Sequence, residues 1–163
     1  MGTSGGAVIA LWLAILYPRR VQAVVADSVT ERFTAAMFDR NVAAGRAQRT
    51  PGQIAFWQHA HGPDWEAVIE ADTDMLRRLA ARDGAWFAGR LPEVRCPVLL
   101  TASREDAMLG DPGRQLCALA AQIAGSRAYL HPTGDHPLMW SQPRAFRRLC
   151  DVFLAGDLDV VPR

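Results

Sequence analysis

Three side chains in this sequence have the types and the order that acyl-transfer chemistry requires: Ser4, Asp106 and His136. A serine hydroxyl is a poor nucleophile at neutral pH. It needs a base to take its proton, and the base needs an acid to fix its tautomer and stabilise the imidazolium. Ser4 lies in Gly2-Thr3-Ser4-Gly5-Gly6, a G-x-S-x-G pattern whose glycines permit a tight strand-to-helix turn that lifts the serine out of a sheet. The helix that follows such a turn aims its N-terminal dipole at the serine and points the Gly5 N–H toward a developing oxyanion.

The acid and base are sought downstream in that order. Asp106, in Ser103-Arg104-Glu105-Asp106, follows an apolar run from Pro97 to Ala102, at the end of a strand where open α/β sheets carry their functional groups. Glu105 beside it and Asp27 at the end of an earlier valine-rich run compete for the role of acid. His136 sits in the polar loop Thr133-Gly134-Asp135-His136-Pro137, where Gly134 gives the backbone latitude to turn and Pro137 constrains the exit. The other histidines are poorer candidates. His59 and His61 are two apart on a predicted helix, so they point to different faces and make a poor metal pair. His131 reads as a packing residue at a strand end.

The elements around these residues predict an α/β protein. Ala7 to Leu16 is apolar on every side, as in a helix enclosed by protein, and Pro18 ends it. Val21 to Ala26 reads as a buried strand with polar Asp27-Ser28 at its end. From about Val29 to Arg90 the pattern turns to helical pieces broken by Gly and Pro, among them Pro51 to His61 and a longer stretch from Asp64, a predicted N-cap, to about Ala81. Alternation returns with a strand at Cys96 to Ala102, a helix from about Pro112 to Ala124, and a strand at Arg127 to Leu130. The last helix starts near Ser141 and places Phe146, Leu149, Cys150 and Phe153 on one face. The expected divisions are 1–28 and 91–156 as α/β core, 29–90 as a helical insertion, and 157–163 as a loosely ordered tail. Most of the five tryptophans read as core. Within the insertion, Phe56 and Trp57 are expected to roof an apolar substrate pocket that Trp140 also lines.

Composition narrows the partners. Eighteen basic and seventeen acidic residues leave a formal charge of +1, too little to gather nucleic acid, anionic lipid or highly charged substrates. A small, largely neutral substrate is the expected partner, with no nucleic acid and no membrane. Cys96, Cys117 and Cys150 are odd in number and lack a metal-ligand spacing, which argues against a disulfide framework and against structural zinc. A reducing cytoplasm is the expected compartment. The apolar Ala7 to Tyr17 segment is too short to span a bilayer and lacks the basic flank and cleavage site of a signal peptide. No phosphate loop or metal cluster suggests a cofactor.

With these residues in place, the chain resembles the α/β-hydrolase superfamily over nearly its whole length. It is similar to the C-terminal half of the biphenyl-hydrolase-like group, which includes the valacyclovir hydrolases. The resemblance rests on Gly2-Thr3-Ser4-Gly5-Gly6, on Leu91 to Leu100, on Ser103-Arg104-Glu105-Asp106, and on Gly134-Asp135-His136 followed by Gln142-Pro143-Arg144-Ala145-Phe146. It implies a parallel sheet with flanking helices, a helical cap near residues 29 to 90, Ser4 as nucleophile, Asp106 as acid and His136 as base. It implies ester or related acyl-bond hydrolysis through an acyl-enzyme.

Three departures follow from the same comparison. Gly5 stands where the valacyclovir-hydrolase-like members carry an acid that holds the substrate's amino group. Asp135 stands where the family has a glycine before the histidine. The chain also opens at the nucleophile turn, without the preceding strands and oxyanion loop. The last departure predicts an open apolar sheet edge through which copies of the chain could associate, and a missing second oxyanion donor. It raises the alternative of an inactive truncated fragment or binding module. A further alternative keeps the fold with carbon–carbon, thioester or peracid chemistry.

Overall fold

The computed structural model describes residues 1–156, so the tail expected at 157–163 lies outside the described residues. Four parallel strands form one sheet in the order β1-β2-β3-β4: β1 Gly2–Thr3, β2 Val24–Asp27, β3 Val98–Ser103 and β4 Arg127–His131. Registers pair Thr3 with Asp27, Asp27 with Thr101, and Ser103 with His131. Every residue of β2 and β3 is buried, the burial that a parallel sheet covered on both faces produces. Two of the predicted strands start later than expected, β2 by three residues and β3 by two, while β4 starts at Arg127 as predicted. β2 begins at Val24 rather than Val21, because the preceding residues form a turn after the helix.

Helices connect and cover these strands. α1 (Gly5–Leu16) packs on β1 and β2, and α6 (Pro112–Ala120) packs on β3 and β4. A single turn, α7 (Leu138–Ser141), precedes α8 (Pro143–Leu154), so the final helix starts two residues later than the sequence suggested. Phe146, Cys150 and Phe153 of α8 meet Val25 and Leu99 of the sheet and Leu138 of α7 in one apolar cluster, with Leu149 packed at its edge. This is the one-face spacing read from the sequence. Asp111, whose side chain accepts from the Arg114 N–H, caps α6, and Pro112 fills its first position.

α1 departs from its expectation. Ala7, Val8, Ala10, Leu11, Ala14 and Ile15 are buried, but Ile9 is 63% exposed, Leu13 46% and Leu16 52%. These three are four and three residues apart and share one face, so the helix is enclosed on one side and open on the other.

The chain divides into two compact units. One contains Met1–Glu31 and the described residues from Phe87 onward, and so holds the whole sheet. The other is Arg32–Trp86, helical throughout its regular structure: α2 (Ala35–Phe38), a π-helical turn at Asp39–Ala43, α3 (Ala44–Ala47), α4 (Pro51–His61) and α5 (Trp65–Arg82). Its two ends meet: Arg32 and Ala85 form an antiparallel bridge, the Phe33 N–H donates to the Gly84 carbonyl, and Phe33 lies against Trp86. Thr50 begins α4 with a reciprocal capping box to Gln53, and Pro51 fills the first position. Asp64 stands at the N-cap of α5 as expected, but its side chain makes no cap hydrogen bond, because Gly62–Asp64 closes a 3₁₀ turn that runs directly into the helix. Arg46 reaches across to Asp72, Thr73 and the Ile69 carbonyl of α5. Among the described residues no helix is long and apolar enough to cross a membrane.

Candidate active site

The chemistry-bearing residues gather at the carboxyl ends of the parallel strands, where each chain segment leaves the sheet and its side chains are free to converge. Ser4 follows β1 directly and caps α1 with φ 53° and ψ −123°, a conformation that side chains other than glycine's rarely hold and that only surrounding structure can maintain. Backbone hydrogen bonds hold it: the Ser4 N–H donates to the Asp27 carbonyl of β2 at 2.8 Å, and the Ser4 carbonyl accepts from the Ala7 and Val8 N–H groups at 3.0 and 3.4 Å. The turn is closed so tightly that a Cβ on Gly2 would sit 2.1 Å from the Gly6 carbonyl oxygen. Gly2 is therefore dictated by close approach. Gly5 and Gly6 are not, since a Cβ at either would meet no atom within 4 Å. Gly5 is the first residue of α1, where a helix leaves its N–H groups without intrahelical acceptors.

The Ser4 hydroxyl lies 3.0 Å from His136 Nε2, and His136 Nδ1 lies 2.8 Å from Asp106 Oδ2. The sequence left three acids open, and these distances separate them. Asp106, 1% exposed, has one carboxylate oxygen on the imidazole and the other accepting from the Met108 N–H at 3.0 Å. Glu105 instead accepts from the Gly134 N–H at 3.1 Å, holding the loop rather than the ring. Asp27 does not contact the imidazole. It is fully buried and accepts from Thr3, Ser28, Thr101 and the Met139 N–H.

The loop that carries His136 is held from β3. Ser103 Oγ donates to the Gly134 carbonyl at 2.5 Å and accepts from the Glu105 N–H. Gly134 has φ 116°, and a Cβ there would meet Ser141 and Gln142 at 2.9 Å, so the loop path admits glycine alone. Asp135, where the resemblance led to a glycine, accepts from the His136 N–H at 2.7 Å with its side chain and from Ser141 Oγ with its carbonyl. It stiffens the loop as well as charging it. His131 bonds within its own turn, to Thr133.

Burial raises the pKa of Asp27 above the usual carboxylate value, and its hydrogen bonds oppose that shift. Among the described residues no buried side-chain nitrogen or oxygen lacks a partner, and no three of His, Cys, Asp and Glu come together as metal ligands.

The aromatic residues expected around a pocket fall in different units. Phe56 and Trp57 belong to α4, where Phe56 is exposed and Trp57 stacks on Trp65 at 6.0 Å between ring centroids, with Arg49 over the Trp65 ring. Trp140 lies on α7 in the sheet-bearing unit and is exposed. In that unit Trp12 packs between Phe87 and the Arg90 guanidinium.

The fold is that of part of an α/β-hydrolase. The chain is similar to a protein of Escherichia coli O26:H11 (strain 11368 / EHEC) that carries the name carbamate hydrolase RutD, at 26% identity over 91% of this chain and 62% of that protein. Among solved structures it matches a serine hydrolase involved in carbazole degradation, the CarC enzyme, with a TM-score of 0.67 at 19% identity, covering 94% of this chain and 62% of that one. It also matches an esterase from Exiguobacterium antarcticum, with a TM-score of 0.66 at 17% identity, covering 94% of this chain and 65% of that one. No family model matches the chain. The chain spans about three fifths of the length of the curated relatives it matches.

Proposed function

We propose that the protein is a serine hydrolase that cleaves a carboxylic ester or related acyl bond of a small, uncharged molecule, with Ser4 as nucleophile, His136 as general base and Asp106 as the acid that orients it. The observation that carries this reading is the unbroken line from Ser4 Oγ through the imidazole to Asp106 Oδ2, at 3.0 and 2.8 Å. Residues 132 and 30 positions apart in sequence are aligned there, on a serine held in a strained turn. The names of the relatives, a carbamate hydrolase, a serine hydrolase and an esterase, support hydrolysis at acyl carbon.

In this mechanism His136 takes the Ser4 proton as Oγ attacks the carbonyl carbon, and the resulting imidazolium is stabilised by the buried Asp106 carboxylate. The tetrahedral oxyanion is met by the Gly5 N–H at the start of α1. Collapse expels the leaving group, which takes the proton from His136 and leaves an acyl-Ser4 ester. The same imidazole then deprotonates water, whose attack releases the acid and restores Ser4. No step calls for a cofactor or metal.

The motif set, by its resemblance to the biphenyl-hydrolase-like group, supports an activity of that kind. Gly5, with no side chain to bind an ammonium group, turns the preference away from amino-acid esters. Trp140, exposed on the turn that follows His136, supplies an apolar surface for the acyl or alcohol part of the substrate.

The test is the intact mass of the chain after exposure to a fluorophosphonate, with Ser4→Ala alongside. One adduct that disappears in the variant is the expected result. A folded chain that takes up no adduct supports the alternative reading, a binding module that keeps the three residues without activating them.

A further inference from the structure

Each of the four consecutive strands delivers a polar residue at its carboxyl end, and the proposed mechanism uses only three of the four ends. β1 delivers Ser4, β3 leads to Asp106 and β4 leads to His136. β2 ends in Asp27, which is 0% exposed and which the reaction does not use. We propose that Asp27 is a positioning residue: a buried carboxylate clamp that locks the nucleophile turn to the segment carrying the general base. The inference rests on the assignment of Ser4 and His136 above and extends it to a group that touches neither the substrate nor the imidazole.

The geometry carries it. Oδ2 accepts from Thr3 Oγ1, the residue before the nucleophile, and from the Met139 N–H, three residues after the base, each at 3.0 Å. Oδ1 accepts from Thr101 Oγ1 of β3 at 2.8 Å and from Ser28 Oγ at 3.3 Å. Ser28 in turn accepts the Leu138 N–H at 3.1 Å, and its own φ is 52°. A second non-glycine residue is thus held in the left-handed region beside the site, the kind of strain that surrounding structure sustains at functional positions. The Asp27 carbonyl also receives the Ser4 N–H. One residue therefore bonds both sides of the Ser4 to His136 hydrogen bond, through side chain on one side and through side chain and backbone on the other.

Four hydrogen bonds converge on two oxygens, which a carboxyl group can serve at once. Burial raises the pKa of Asp27, and the same hydrogen bonds oppose that rise. Loss of the carboxylate would strand those buried donors and cost stability. Alignment of the two catalytic segments adds an effect that stability does not report, because an error of about 1 Å between reacting groups lowers rates by about 10²-fold.

The test compares the wild-type chain with Asp27→Ala and Asp27→Asn by two readouts. The first is backbone amide exchange of Leu138 and Met139, which needs no activity. The second is the rate of fluorophosphonate capture by Ser4, measured beside the melting temperature. Asp27→Ala removes every acceptor; Asp27→Asn keeps one oxygen and satisfies one pair of donors. The expected order, wild type above Asp27→Asn above Asp27→Ala, holds in Met139 protection and in capture rate, with Asp27→Ala about 10²-fold slower at a temperature well below the melting transition of every variant compared. If Asp27→Ala does not fold, Asp27→Asn decides alone. Unchanged Met139 protection in a folded variant overturns the clamp, as does a capture rate equal to wild type or one that falls only as the variant begins to unfold. A wild-type chain that is never captured refutes the hydrolase reading instead, and Met139 exchange then still reports on the clamp.

Discussion

Polar groups are handled in opposite ways at the strand ends and in the helical unit. At the strand ends Asp27, Ser28, Thr101, Ser103 and Asp106 are all buried, and each is tied to partners far away in sequence. In Arg32–Trp86 the ion pairs are at or near the surface: Arg49 to Glu66, Arg77 to Asp74, and Arg46 to Asp72, whose side chain is 41% exposed. Few apolar residues of that unit are fully enclosed, Met37, Phe38, Val42 and Ile69 among them. Buried bonds are costly to break, because the stranded partner loses both water and its bond. Exposed ion pairs are screened and contribute little. The strand ends are therefore built to hold one geometry, whereas the helical unit is built to tolerate change in sequence and shape.

The sharpest way to break that comparison is at Asp106. Asp106→Asn keeps the volume but replaces the acceptor that faces His136 Nδ1, so the imidazole favours the wrong tautomer for taking the Ser4 proton. The capture rate of a fluorophosphonate is expected to fall on the order of 10⁴-fold, equivalent to about 5 kcal/mol of transition-state stabilisation, with the fold retained by circular dichroism. A loss of tenfold or less would show that the buried network is no more exacting than the surface one.

Next in size is the apolar floor below the site. Leu99 pairs with Val25 and packs against Leu138, Phe146, Cys150 and Phe153. Leu99→Ala removes that contact and leaves a cavity, at an expected cost of about 2–5 kcal/mol in chemical denaturation. A cost below about 1 kcal/mol would mean that the cluster relaxes freely, and the contrast between a rigid sheet unit and a tolerant helical unit would weaken.

How far the sequence exposed this arrangement depends on the range of the interaction. The serine turn was legible because its motif is local, and the order of serine, acid and histidine gave the candidates. The spacing of Phe146, Leu149, Cys150 and Phe153 disclosed the buried face of α8. Among Asp27, Glu105 and Asp106 the sequence favoured Asp106 by its place after the later strand but left the other two open, since all three lie near strand ends and only the path of the 133–137 loop brings one carboxylate to the imidazole. The hold of Thr3, Thr101 and Met139 on Asp27 was equally hidden, because hydroxyls and backbone N–H groups far apart in the chain leave no pattern. The polar pair Asp27-Ser28 closing a valine-rich strand was the only trace. For α1, apolar residues all around the helix suggested enclosure, yet composition does not say on which sides protein is present, and Ile9, Leu13 and Leu16 are open. In the helical unit Asp64 stands at the predicted N-cap without a side-chain bond, whereas the capping box forms at Thr50, a residue with no marked place in the sequence pattern.

That capping box supplies the smallest of the tests and the complement to Asp106. Thr50 Oγ1 accepts from the Gln53 N–H at 3.2 Å, and Gln53 Oε1 returns a bond from the Thr50 N–H at 2.9 Å. Both bonds are exposed, and α4 encloses no residue fully. Thr50→Ala removes the cap and leaves Pro51 to start the helix, at an expected cost of about 1 kcal/mol. The loss should appear as faster amide exchange in residues 52–61, with the Ser4 capture rate unchanged. A capture rate that fell along with the exchange protection would mean that the two units share one cooperative structure, and the tolerance assigned to the helical unit would have to be given up.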